Sequence, residues 1–89
     1  MFILNQRKDE LYKFGTGTYD EIHLKEASLE LETRTEYLCM NICTYNSKTG
    51  EQISLALYKE KEKGKAVYKE LIDFISMSQY QSIFEMPQD

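Results

Sequence analysis

Two cysteines, one histidine, a Gly-Thr-Gly-Thr run and a cluster of lysines are the residues of this 89-residue chain whose types and spacing could support chemistry. Cys39 and Cys43 lie in a segment that alternates like a strand. Four strand steps separate them by ~13 Å, beyond the ~7 Å Cα limit for a disulfide, so they read as free thiols of a reducing compartment. With no CxxC pair and no histidine cluster, they also lack the further ligands of a tetrahedral metal site. His23, between Ile22 and Leu24, points away from their face. A single histidine has no nucleophile to serve unless tertiary structure brings one, so it reads as a solvated or interface residue. Gly15-Thr16-Gly17-Thr18 lacks the Lys-Ser/Thr of a P-loop and the third glycine of a dinucleotide fingerprint, and no helix follows it. It reads as a turn. The acids lie in solvated runs, and no pair is set across a cleft. The expectation is a protein that is not an enzyme, with no catalytic residue, no metal ligand and no cofactor.

Charge is distributed unevenly about a net −4. Between Asp20 and Glu36 the acids Asp20, Glu21, Glu26, Glu30, Glu32 and Glu36 face only Lys25 and Arg34. Lys59, Lys61, Lys63 and Lys65 form the one basic cluster, but Glu60 and Glu62 cancel much of its field, which reads as a solvated helix start. An acidic chain is repelled by phosphates, so neither direct nucleic-acid binding nor a membrane surface is expected. The feature that departs from a bland surface is one side of the segment Tyr37 to Tyr45, which carries Tyr37, Cys39, Asn41, Cys43 and Tyr45. Strips of this Tyr-rich, charge-free kind are typical of protein-binding surfaces. The rival reading is that the N-terminal strands curl over this strip. The residues singled out for partner binding are Tyr37, Asn41 and Tyr45, with Glu30 and Glu32 from the acidic stretch.

The elements that must position these residues are read from periodicity. Phe2-Ile3-Leu4 and Leu11-Tyr12-Lys13-Phe14 form a hairpin around a polar turn; Glu21 to Lys25 is a strand, and Leu29 to Glu32 is another or its bulged continuation. Tyr37 to Tyr45 and Ile53 to Leu57 flank Asn46-Ser47-Lys48-Thr49-Gly50 as a second hairpin. Pairing Tyr45 with Gly50 sets Ile42 opposite Ile53, Met40 opposite Leu55 and Leu38 opposite Leu57, so that six apolar side chains share one face. Val67, Leu71, Phe74 and Ile75, with Ala66 alongside, predict a helix from roughly Glu60 to Met77, and Ile83 to Met86 is a last short strand before Pro87. An apolar stripe on a lone helix must cover an apolar sheet face. The expected fold is α+β: one domain over residues 1–89, a curved, mostly antiparallel sheet of five or six strands with one C-terminal helix packed on it. A split barrel closed by that helix, like pleckstrin-homology domains, is the main variant.

A hydrophobic fraction of 42 % and a charged fraction of 29 % are those of a globular chain. Met1-Phe2-Ile3-Leu4 is too short for a signal peptide, polar residues follow at once, and no run approaches transmembrane length, so a cytoplasmic protein is expected.

Both ends of the chain carry short motifs. Met1-Phe2-Ile3-Leu4-Asn5-Gln6 opens it; Leu55-Ala56-Leu57-Tyr58, then Lys65-Ala66-Val67-Tyr68-Lys69-Glu70-Leu71-Ile72, then Phe84-Glu85-Met86-Pro87 close it. In these the chain resembles a group of small uncharacterised proteins encoded by phages and prophages of Gram-positive bacteria, departing from them between Ala27 and Asn46 and at the helix start. The resemblance implies a phage or prophage origin and the cytosol of a bacterial host, and assigns no functional residue. With it, the expected function is an accessory protein that binds a host or phage protein, inhibition of a host defence protein such as a CRISPR nuclease being one form. The alternative is a homo-oligomeric structural or virion-associated protein, for which a homodimer is the simplest form.

Overall fold

A computed structural model describes residues 1–30, 36–77 and 82–89, with backbone alone for 28–30 and 36–38. In chain order the elements are β1 (Phe2–Leu4), β2 (Leu11–Lys13), β3 (Glu21–Glu30), β4 (Glu36–Tyr45), β5 (Gln52–Tyr58), α1 (Lys61–Met77) and β6 (Ile83–Glu85). The fold is α+β as expected. The strands form two three-stranded sheets, ordered β2–β1–β6 and β3–β4–β5, and these do not close into a barrel. All neighbours are antiparallel except β1 and β6. Ile22 to Leu24 and Leu29 belong to one long strand, β3; the reading of Leu31 and Glu32 as strand lies outside the described residues.

The β4–β5 hairpin corrects the expected register. Asn46 N–H donates to Glu51 O (2.8 Å), and Asn46 Oδ1 accepts from the N–H groups of Lys48 (2.9 Å) and Thr49 (3.3 Å). The asparagine side chain thus folds the turn onto itself, and Gly50 follows at φ +78°, a conformation that costs glycine little. The loop therefore closes one residue later on each strand, and Tyr45 pairs with Gln52 rather than Gly50. Then a β-bulge intervenes. Cys43 faces Ser54, but Ile42 faces Ala56, so Leu55 is the extra residue. Beyond it every side chain of β5 changes side: Ala56 and Tyr58 turn into the core, while Leu57 turns out and is 37 % exposed. Ile42, Met40 and Leu55 keep their expected places on the buried side; Leu57 does not, and the side chain of Leu38 lies outside the described residues.

The helix covers that buried side. Gly64, Val67 and Leu71 are its buried residues, while Ala66, expected beside them, is exposed. Gly64 is required by proximity, because a Cβ there would stand 2.4 Å from Met40 Cβ. Helix and strand touch almost backbone to backbone at this point. Further along, Phe74 packs edge-on against Phe84 of β6 at 5.2 Å between ring centroids, so the same helix bridges both sheets. Ile3, Ile42, Leu55, Ala56, Tyr58, Val67, Leu71, Phe84 and Met86 make one cluster drawn from β1, β4, β5, the end of the chain at β6, and the helix. Each large aliphatic or aromatic side chain in it contributes on the order of 1.5–3 kcal/mol by leaving water.

The two terminal motifs meet in space. Asn5, 4 % exposed, accepts from the N–H groups of Asp9 (3.1 Å) and Glu10 (3.3 Å) and donates to Asp9 Oδ1 (2.8 Å), which folds the β1–β2 turn. Gln6 lies along the outer edge of β5. Its N–H donates to Leu55 O (2.9 Å), its side-chain amide donates to Leu57 O (3.0 Å) and its Oε1 accepts from Leu57 N–H (3.0 Å). One side chain thereby replaces the strand that would otherwise pair with this edge. Met86 N–H donates to Leu4 O (3.0 Å), Tyr58 hydroxyl to Pro87 O (2.6 Å), and Gln88 to Gln6 O (2.6 Å). The motifs are thus the joint between the two sheets.

Candidate functional site

Alternation along β3, β4 and β5 places a second set of side chains on the side of the large sheet away from the helix. They are Glu21, His23 and Lys25 from β3, Asn41, Cys43 and Tyr45 from β4, and Gln52, Ser54 and Leu57 from β5, according to the register Glu21–Tyr45, His23–Cys43, Lys25–Asn41, Tyr45–Gln52, Cys43–Ser54 and Asn41–Leu57. Glu21, Lys25, Gln52 and Ser54 are exposed; His23, Asn41 and Tyr45 are half-buried. Cys39 and Cys43 are buried to 1 % and 2 % exposure, and neither forms a disulfide. The N-terminal segment meets this sheet at the edge of β5, through Gln6, and Gln6 and Arg7 line a pocket with Cys39 and Leu57 at that end of the face, while Glu21, Lys25, Gln52 and Ser54 stay exposed.

Polar contacts knit the surface together. The His23 ring stacks on Tyr45 at 5.6 Å between centroids and 28° between planes, and His23 Nε2 lies 3.2 Å from Glu21 Oε1. Lys25 Nζ donates to Gln52 Oε1 (3.1 Å), a bond between the two outer strands that must pass over Cys43 on the middle one. Ser54 Oγ donates to Asn41 Oδ1 (2.6 Å). At the Tyr45 end, Asp20 N–H donates to Tyr45 O (3.0 Å). Asp20 in turn accepts from the hydroxyl of Ser47 and from its N–H (2.9 Å), and these bonds hold its carboxyl below the usual carboxylate range.

These contacts bear on chemistry directly. The register sets Cys43 across from His23, the only thiol–imidazole juxtaposition among the described residues, but the thiol is buried and the imidazole is turned to Glu21. A nucleophile must reach its base and its substrate, and the 2 % exposure of Cys43 keeps this thiol from solvent. Ser54 likewise donates to an amide, which does not take its proton. Among the described residues no three His, Cys, Asp or Glu side chains converge as metal ligands, and no helix is long and apolar enough to cross a membrane. What the face offers is hydrogen-bond donors and acceptors around one aromatic pair.

Of the residues singled out from sequence, Asn41 and Tyr45 lie on this face with His23. Tyr37 occupies the register position opposite Leu29, eight residues from Tyr45, or roughly 27 Å along β4. Glu30 stands opposite Glu36 at the far end of the β3–β4 pair. The side chains of Tyr37 and Glu30, and Glu32 altogether, lie outside the described residues. The described structure therefore groups Asn41 and Tyr45 with acids other than those expected, Asp20 and Glu21. Sequence reasoning missed Lys25, Gln52 and Ser54, although the signal was present: they alternate with Leu24, Ile53 and Leu55 and so share the side of Asn41 and Tyr45.

No protein-family model matches the chain, and neither the curated proteins nor the solved structures compared with it contain a match.

Proposed function

We propose that this protein is a protein-binding module whose contact surface is the helix-free face of the β3–β4–β5 sheet, centred on the Tyr45–His23 stack. The supporting observation is the combination of a half-buried aromatic pair with exposed Glu21, Lys25 and Gln52 around it, at the end of the sheet face that carries Tyr45. Tyrosine offers a large, rigid contact area with a polar end, and such residues anchor interfaces. The exposed acids Asp20 and Glu21 favour a partner with basic contact residues. Together with the phage-like terminal motifs, this supports an accessory protein acting in the cytosol of a bacterial host on a host or phage protein, inhibition of a defence protein such as a CRISPR nuclease being one form. The test is parallel capture from host lysate by the wild-type chain and by Tyr45→Arg, with mass spectrometry of the bound proteins. A partner retained by the first and lost by the second is expected; equal capture by both overturns the assigned surface.

A second reading, a homo-oligomeric structural or virion-associated protein, has a specific observation in its favour. Among the described residues β3 pairs only with β4, which leaves a ten-residue strand with an open edge.

A further inference from the structure

The small sheet presents an apolar surface to the outside. Ile3, Tyr12 and Phe84 share one side of it by register and turn toward the core. The residues between them face the other way. Across β2, β1 and β6 they form two rows, Lys13–Phe2–Ile83 and Leu11–Leu4–Glu85. Leu11 is 50 % and Ile83 54 % exposed; Phe2 and Leu4 are half-buried but are not packed against the core cluster. Four adjacent apolar side chains thus lie on an outer sheet face, with nothing described in the chain across them. A lone exposed leucine needs no explanation, but a contiguous apolar patch marks a contact.

The charges at its corners indicate the occupant. Lys13 and Glu85 stand at diagonally opposite corners of the two rows, both exposed. A two-fold axis lying in the plane of the patch, along the other diagonal from Leu11 to Ile83, brings Lys13 of one copy near Glu85 of the second, and Glu85 near Lys13, within reach of their side chains. It brings Ile83 near Ile83 and Leu11 near Leu11, and it crosses the strands steeply, as in the orthogonal class of sheet packing. We propose that the protein self-associates through the outer face of the β1–β2–β6 sheet, as a two-fold dimer in which Lys13 of each copy pairs with Glu85 of the other. The patch measures only ~10 Å by ~7 Å between Cα positions, from the strand spacing and rise. That is far less than the ~800 Å² per partner of a standard interface, so the dimer is weak and forms at high concentration. This surface is separate from the Tyr45 face, and the proposal stands or falls independently of that reading.

Sedimentation velocity from micromolar to millimolar protein tests it. The wild type shows a monomer–dimer equilibrium. Ile83→Asp, or Leu11→Ser should that variant lose its circular dichroism spectrum, weakens the association by about tenfold or more. Lys13→Glu and Glu85→Lys each weaken it, whereas the double variant K13E/E85K returns it to near the wild-type value, because the pairs are rebuilt with exchanged signs. A strict monomer at the highest concentration overturns the proposal. So does an association that Ile83→Asp leaves unchanged, or a double variant no better than either single one.

Discussion

The outer faces of the two sheets are built on opposite principles. On the large sheet, Lys25 reaches Gln52, Ser54 reaches Asn41 and His23 rests on Tyr45, so the polar groups are largely satisfied within the face itself. On the small sheet, Leu11 and Ile83 are half exposed beside half-buried Phe2 and Leu4, and no described residue packs across them. The first face gains little from non-specific association and much from a partner with matching hydrogen-bond groups; it is suited to specificity. The second gains from almost any apolar cover, and only the Lys13–Glu85 diagonal gives it a preference. Ten-residue strands can afford a satisfied polar face because the helix supplies the core on the other side. Three-residue strands have few positions, and most of them are apolar.

That contrast can be broken at its base by separating buried from outward positions within one sheet. Leu71, 0 % exposed beneath the large sheet, costs about 2–5 kcal/mol when replaced by Ala. Leu57, turned outward by the bulge, costs under about 1 kcal/mol when replaced by Ser. Urea unfolding followed by circular dichroism measures both; a Leu57→Ser cost comparable to that of Leu71→Ala would mean that the bulge is absent and that Leu57 lies in the core. The joint between the sheets comes next. Gln6→Ala removes the side-chain bonds to Leu57 and is expected to cost about 1–3 kcal/mol in the same measurement, with faster amide exchange at Leu57 than at Ile42. No change in either would show that the edge of β5 needs no closure.

Alkaline pH gives the mildest perturbation. Burial, with smaller contributions from Asp89 and Glu70, pushes the Tyr58 hydroxyl up to about 12; burial and then a hydrogen bond with Glu51 do the same for Tyr19. A tyrosine whose pKa is raised by folding stabilises the fold while it is neutral. That contribution is complete below the ordinary value of 10.0 and is lost as pH rises through about 12. Stability is therefore expected to fall across this window. The tyrosinate absorbance of Tyr58 and Tyr19 should develop late in an alkaline titration, as Tyr58→Phe and Tyr19→Phe would show by removing the late phase.

Most of the architecture was legible in local periodicity. The spacing of Val67, Leu71, Phe74 and Ile75 marked the helix, and alternation along Ile22–Leu24, Met40–Ile42 and Ile53–Leu55 marked the strands of the large sheet. These patterns are consequences of the 3.6-residue and two-residue repeats, which need no knowledge of neighbours. The candidate site was half legible. Asn41 and Tyr45 follow from alternation, but their company of His23, Lys25 and Gln52 depends on which strands flank β4 and in what register.

Order in space was not written locally. A two-residue repeat looks the same before and after a bulge is inserted, so only the packing of Tyr58 under the helix, with its hydroxyl on Pro87, decides that Leu57 turns outward. In the same way Gly64 carries no periodic signal; its role emerges only where Met40 approaches it. The chain's amphipathic rhythm sets which residues leave water, because that depends on side-chain chemistry and repeat. Which strand lies beside which, and what faces outward as a result, rests on contacts between residues far apart in the chain, and these exist only once it has folded.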